Sequence, residues 1–358
     1  MVDARAARHA VGMSRAWRRT TWWAGGATLA LLLAYNGVCL MHARAMTTFV
    51  DGGERTGQPE QLGIGAKLRA TLFGVTVPRP VNTRSPADVG LAYETVTWSN
   101  GRGGTLEAWD IPAPSPRGAV LVFHGYAASK DQLLETARLL HEERWSVVMV
   151  DFEGSGGSSG DTVTIGHREA LDVMATLEWA RGRGIERPIL YGFSMGAAAI
   201  LRAVGELGAE PAAIVVEAPY DRLLSTVQHR FELMGLPAFP SAELLVFWGG
   251  VLHGYDGFDN EPVRWAAGVR APTLVVAGTE DTRARPEEAR AVAAAAGGRL
   301  LLLPGHGHVQ SAKVAPALWR RGGRLHPIAR LIPRSPQRKT RPSVEVLRGR
   351  FAPTGGDA

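Results

Sequence analysis

The sequence predicts an α/β protein: a mostly parallel, doubly wound sheet with a small helical insertion, preceded by a transmembrane helix. Three observations carry this. Six apolar runs of strand length recur through the middle of the chain: AVLVF (119–123), SVVMVD (146–151), PILYGF (188–193), AAIVVE (212–217), PTLVVAG (272–278) and RLLLLP (299–304). Stretches of helical length and composition lie between them at 129–143, 167–182, 195–207 and 285–297. Near the N-terminus, residues 21–41 contain no Asp, Glu, Lys or Arg.

The apolar runs lack a polar face, as strands covered on both sides do. Their alternation with helices is the pattern of a doubly wound domain. Two further runs, LAYETVTW and TLEAWDIP, alternate polar and apolar residues around the turn Asn100-Gly101-Arg102-Gly103-Gly104. They predict an antiparallel pair ahead of the parallel strands. Residues 221–262 break the rhythm and are rich in aromatic and apolar residues. This insertion reads equally as a lid over a site and as an ordinary packed helical insertion.

The uncharged run, as a helix, is roughly 30 Å long, the thickness of a bilayer core. Trp17, Trp22 and Trp23 suit one membrane interface, and five Arg precede the run within the first twenty residues. Positive charge on that side predicts a cytoplasmic N-terminus and an α/β domain outside the cytoplasm. The rival is a signal peptide cleaved at Ala43-Arg44-Ala45, giving a secreted protein. The length of the apolar core and Arg44 inside that site favour an anchor. The uninterrupted run argues against a core helix, and Asn36 and Val38 against a lipoprotein box at Cys39.

The organisation expected is therefore a basic N-terminus (1–20), a membrane segment (21–41), a linker and lead-in (42–90) with one short helix, an α/β domain (91–310) and a basic, irregular tail (311–358). The net charge of +6 resides at the ends: residues 312–358 carry eleven Lys or Arg against Glu345 and Asp357, while the middle is acidic. These ends read as solvated or membrane-proximal flanks; no nucleic-acid module accompanies them. A single cysteine, Cys39, excludes a disulfide framework and a Cys-rich zinc site. No metal or organic cofactor is implied: there is no ligand cluster, and Gly154-Ser155-Gly156-Gly157-Ser158 lacks the Lys of a phosphate loop.

Gly192-Phe193-Ser194-Met195-Gly196 follows an apolar strand and opens a helix. A turn this tight admits only small neighbours and lifts the serine hydroxyl above the sheet, at a helix N-terminus that favours negative charge. Ser194 is thus the candidate nucleophile. Candidate acids follow the next two strands, Asp281 first and Asp221 second. Candidate bases follow the last strand, His306 and His308. Ser, Asp, His is the chain order of such a site.

The ordered set of His124-Gly125, Asp151-Phe152-Glu153-Gly154, the Ser194 pentapeptide, Gly278-Thr279-Glu280-Asp281 and Gly305-His306-Gly307-His308 resembles the α/β-hydrolase superfamily over residues 91–310. The group it looks like is the serine aminopeptidase-like one, which also holds esterases and acylglycerol lipases. The resemblance implies backbone oxyanion donors at Tyr126 and Met195, a structural role for His124, and His308 over His306 as base. It also implies an acyl-enzyme on Ser194 and a small-molecule acyl substrate, a carboxylic ester ahead of a peptide amide and a thioester. The apolar insertion tilts this toward lipidic acyl groups. His229 and His253 read as packing or surface residues. A hydrolase scaffold kept for binding is the reading from another class.

Two departures stand out. Glu153 occupies a position where the family has Arg. After His308, where the family closes with an amphipathic helix, the chain is basic and broken by Pro and Gly, with only a short helix expected around 312–320.

Overall fold

The computed structural model describes residues 4–57, 63–318 and 344–346. Nine strands form one sheet in the order β1-β2-β4-β3-β5-β6-β7-β8-β9. They are β1 (Glu94–Ser99), β2 (Thr105–Ile111), β3 (Ala119–Phe123), β4 (Ser146–Asp151), β5 (Ile189–Phe193), β6 (Ala213–Glu217), β7 (Thr273–Gly278), β8 (Arg299–Leu303) and β9 (Val344–Val346). β1 and β2 pair antiparallel, β2 runs antiparallel to β4, and the remaining pairs are parallel.

The apolar runs form strands because both faces are covered. Alternate residues serve opposite cores: Leu121 and Phe123 face one, Val120 and Val122 the other, and β4 divides Val148 and Val150 from Val147 and Met149 in the same way. Burying one such side chain is worth about 1.5–3 kcal/mol, so a one-residue slip would be costly on both faces. The first core holds residues of α4 (Glu169–Gly182), α5 (Met195–Gly205), α8 (Pro262–Gly268) and α9 (Pro286–Ala296). The second holds residues of α3 (Leu134–Glu142) and α10 (Ser311–Val314). The insertion after β6 forms two helices, α6 (Leu223–Met234) and α7 (Ser241–His253).

The N-terminal organisation differs from the expectation of a membrane segment followed by a linker. One helix, α1 (Ala4–Thr47), runs through the whole uncharged stretch and beyond it. The part from Arg19 is long and apolar enough to cross a membrane. Its side chains are exposed as far as Tyr35, after which Cys39, Ala43 and Thr47 are buried at helical spacing against the rest of the molecule. Tyr35 Oη lies 2.5 Å from Ser241 Oγ at the start of α7. Beyond α1 the chain is stitched down: Phe49 N–H donates to Asp161 O (2.7 Å), Val163 N–H to Thr47 O (3.0 Å) and Arg79 N–H to Val50 O (2.9 Å). Residues 42–57 are therefore part of the folded body, and the expected short helix is α2 (Ile64–Phe73).

The tail is corrected in one respect. Besides α10 and a 3₁₀ turn (Pro316–Leu318), the stretch expected to be irregular contributes β9, which pairs parallel with β8. The rest of the tail lies outside the described residues.

Candidate active site

Ser194 stands between β5 and α5 with φ 53° and ψ −110°, a sparsely populated backbone region for a non-glycine residue. Neighbouring structure holds it there. Its N–H donates to Glu217 O on β6 (2.8 Å), and Ala198 N–H of α5 donates back to Ser194 O (3.2 Å). Gly196 explains the small residue after it: a Cβ there would sit 2.5 Å from Phe123 O, at the end of β3. The helix and strand can approach this closely only without a side chain.

Asp281 follows β7 and is buried. Its Oδ1 accepts from the N–H groups of Arg283 and Ala284, both at 2.9 Å. Its Oδ2 lies 2.7 Å from His308 Nδ1, and His308 Nε2 lies 3.1 Å from Ser194 Oγ. Serine, imidazole and carboxylate thus form one hydrogen-bonded chain. The buried acid fixes the ring and its tautomer, with the proton on Nδ1 and Nε2 open toward the hydroxyl. The Phe193 ring lies 5.1 Å from the imidazole, centroid to centroid, and supports its other side.

The loop that carries His308 is fastened to the loop that carries Asp281. Glu280 N–H donates to His306 O (2.9 Å), Thr279 N–H to Leu303 O (3.0 Å) and Gly305 N–H to Thr279 Oγ1 (2.9 Å). Gly278 permits the contact, since a Cβ there would run into the His306 carbonyl. His306 turns its own Nδ1 to Pro304 O at 2.7 Å. Asp221 lies elsewhere, beside Glu288 of α9.

Tyr126 and Met195, the residues implied as oxyanion donors, follow β3 and β5 respectively; Met195 is the first residue of α5. The Tyr126 hydroxyl donates to Met46 O on α1 (2.7 Å). His124, just before, is fully buried: Phe152 N–H donates to its Nε2 (3.1 Å), and its Nδ1 lies 2.8 Å from Gly125 O. Burial lowers its pKa below the usual histidine range. It is a satisfied turn residue.

Below this turn lies a buried ionic cluster. Lys130, 1 % exposed, reaches Glu107 (2.7 Å) and Asp151, and lies 4.4 Å from the centre of the Trp109 ring. Asp151 also accepts from Lys130 N–H (2.7 Å), Gly157 N–H (3.0 Å) and Asn82 Nδ2 (2.8 Å). It ties the loop after β3 to the glycine-rich loop after β4. Glu153 is occupied structurally. Arg102, from the β1–β2 turn, bridges it to the buried Asp172 at 2.6 Å on each side. Burial, eased by Arg102, leaves Asp172 at about 7.

One residue with a positioning role went unnoticed in the sequence, where it is simply the acid that ends AAIVVE. Glu217 is buried. Its carbonyl holds the Ser194 N–H, while its carboxyl meets Tyr191 Oη and the N–H of Ser311, three residues past His308. It links the serine turn to the histidine loop. Burial raises its pKa, while the Tyr191 and Ser311 contacts pull the other way. Among the described residues no group of three or more His, Cys, Asp or Glu is placed to hold a metal ion.

Comparison with known proteins agrees with this architecture. The family described as "Serine aminopeptidase, S33" matches residues 114–240. An uncharacterized protein of Mycobacterium tuberculosis is 32% identical over 215 residues, covering 58% of this chain and 69% of that protein. An esterase of Pyrococcus furiosus superposes with a TM-score of 0.58 at 25% identity, over 68% of this chain and 92% of its own; a second crystal form gives 0.56 at 23%. The fold and site define a hydrolase. The chain belongs to the α/β-hydrolases, in the serine aminopeptidase-like S33 group.

Proposed function

We propose that this protein is a membrane-anchored serine hydrolase that cleaves a carboxylic ester through an acyl-enzyme on Ser194. The observation that carries the reading is the chain Ser194 Oγ–His308 Nε2 (3.1 Å) and His308 Nδ1–Asp281 Oδ2 (2.7 Å). Ser194 Oγ bonds to the acyl carbon while its proton passes to His308 Nε2. That proton then goes to the departing alcohol oxygen as the ester C–O bond breaks. Water, deprotonated by His308, repeats the attack, and the acid leaves as Ser194 regains its proton. Asp281 orients the ring and stabilises the imidazolium that forms. The N–H groups of Tyr126 and Met195 receive the oxyanion; one donor of this kind is worth about 10²–10³ in rate.

An ester is favoured over an aminopeptidase substrate by the adjacent cavity, described below. Among the described residues, no Asp or Glu lines it to receive a free amino terminus. Anchoring through α1, with the N-terminus cytoplasmic and the catalytic domain outside, is supported by the Arg-rich N-terminal flank. Cleavage at Ala43-Arg44-Ala45 would cut α1 within the part packed on the body, which supports the anchor over a signal peptide.

A fluorophosphonate probe tests the chemistry. Labelling of the wild type and its loss in Ser194→Ala is the expected outcome; a folded wild type that takes no label and hydrolyses neither p-nitrophenyl esters nor aminoacyl anilides leaves only a binding role.

A further inference from the structure

Beside the candidate site is a cavity of about 570 Å³, within the roughly 300–1,000 Å³ range of small-molecule pockets. Its walls come from parts of the chain far apart in sequence. Val38 and Cys39 of α1, Ala70 of α2, Phe231 and Met234 of α6 and Leu245 of α7 all line it. So does Tyr126, the residue it shares with the implied oxyanion turn.

Two features identify an occupant. One is position. The same helix that supplies Val38 and Cys39 is exposed and apolar in the turns before Tyr35, where it is fit to cross a bilayer. The insertion packed against it carries Leu236, Phe239, Phe247, Val251 and Leu252 exposed on its surface, with Phe239 at 76 %. An apolar face of this kind, continuous with a membrane-spanning segment, suits contact with acyl chains. The other feature is charge. Arg55 and Lys67 line the cavity, with Arg230 and Arg283 beside them, and among the described residues no carboxylate lines it. Arg55 Nη1 donates to Ala127 O (3.3 Å), and the Arg230 guanidinium lies 5.9 Å from the centre of the Tyr126 ring. Positive charge therefore gathers near the residue that joins cavity and site.

We infer that this cavity binds the acyl chain of an anionic lipid ester drawn sideways from the bilayer, with α1 serving as both anchor and wall. The inference rests on the serine-esterase and anchoring readings above. The apolar walls take the hydrocarbon, and the cationic groups select an anionic head group over a neutral one.

The test uses the full-length protein in mixed micelles. Cys39→Trp and Ala70→Trp fill the cavity from two different helices, α1 and α2, so misfolding of one leaves the other informative. For each, the kcat/KM ratio of p-nitrophenyl laurate to p-nitrophenyl acetate is expected to fall at least about tenfold, a loss of about two buried methylenes. The wild type is expected to hydrolyse oleoyl lysophosphatidylglycerol at least about tenfold faster than mono-oleoylglycerol. Lys67→Glu is expected to narrow that preference. An unchanged laurate-to-acetate ratio in a folded filled variant, or a wild type that favours the neutral lipid, overturns the inference. If Ser194→Ala retains acetate hydrolysis, it is the serine-esterase reading that fails.

Discussion

His308 and His306 lie two residues apart on one loop, and backbone path alone separates their roles. His306 lends its carbonyl to Glu280 N–H and spends its ring on Pro304 O. His308 places one nitrogen on the Asp281 carboxylate and the other on the Ser194 hydroxyl. His308→Ala should therefore lower ester hydrolysis by about 10³-fold or more, while His306→Ala keeps most of it. Steady-state rates on a p-nitrophenyl ester decide this, and the opposite pattern would reassign the base. At this scale much of the site was legible, because Gly-x-Ser-x-Gly, Thr279-Glu280-Asp281 and Gly307-His308 each sit directly after an apolar strand. Glu217 was not. An acid that ends an apolar strand says nothing by itself about the loops its two oxygens reach, and that depends on β6 lying beside β5.

Between elements, the joint of the insertion to α9 includes two neighbouring carboxyl groups, beside the Arg285–Glu232 ion pair and with His229 Nδ1 3.8 Å from Glu288 Oε2. Asp221 Oδ1 and Glu288 Oε1 are buried, and neither meets a protein donor. A proton held on Glu288 would supply one. Burial first, and then Asp221, pushes Glu288 up to about 9. In the unfolded chain a glutamate titrates near 4.3. The folded state thus retains a proton that the unfolded state gives up. Its stabilising effect is complete below about pH 4 and is lost progressively as pH rises toward 9. Glu288→Gln keeps an oxygen for the Arg285 N–H that caps α9, 2.6 Å away in the wild type, and offers Asp221 a permanent donor. Melting temperatures at pH 5 and 8.5 should fall less for the variant than for the wild type, and equal slopes would show that the Glu288 proton is absent. The strands around this joint were readable to within a residue or two, because each is apolar on both faces. The pairing of β9 was not, since three residues in a basic tail acquire strand character only from β8 beside them.

For the whole molecule, the uncharged run marked a helix long and apolar enough to cross a membrane, but not where that helix ends. Continuation of α1 to Thr47 depends on the body it packs against, which no local pattern in 42–47 announces. The proposed topology makes a direct prediction. In sealed cells expressing the protein with an N-terminal tag, protease added outside should degrade the catalytic domain and spare the tag, and alkaline carbonate should fail to strip the protein from membranes. Protection of the domain would place it on the cytoplasmic side. Under that topology the docking of α1 also sets a range of action. With the helix packed on the domain from Cys39 onward and Phe49 fastened to Asp161, no slack chain separates bilayer from serine. An enzyme held so close to its own leaflet cannot reach across to an apposed membrane or sweep the surrounding solution. Anchored in that way, it would work by lateral encounter, and its turnover would follow the surface density of substrate in the membrane rather than the bulk concentration.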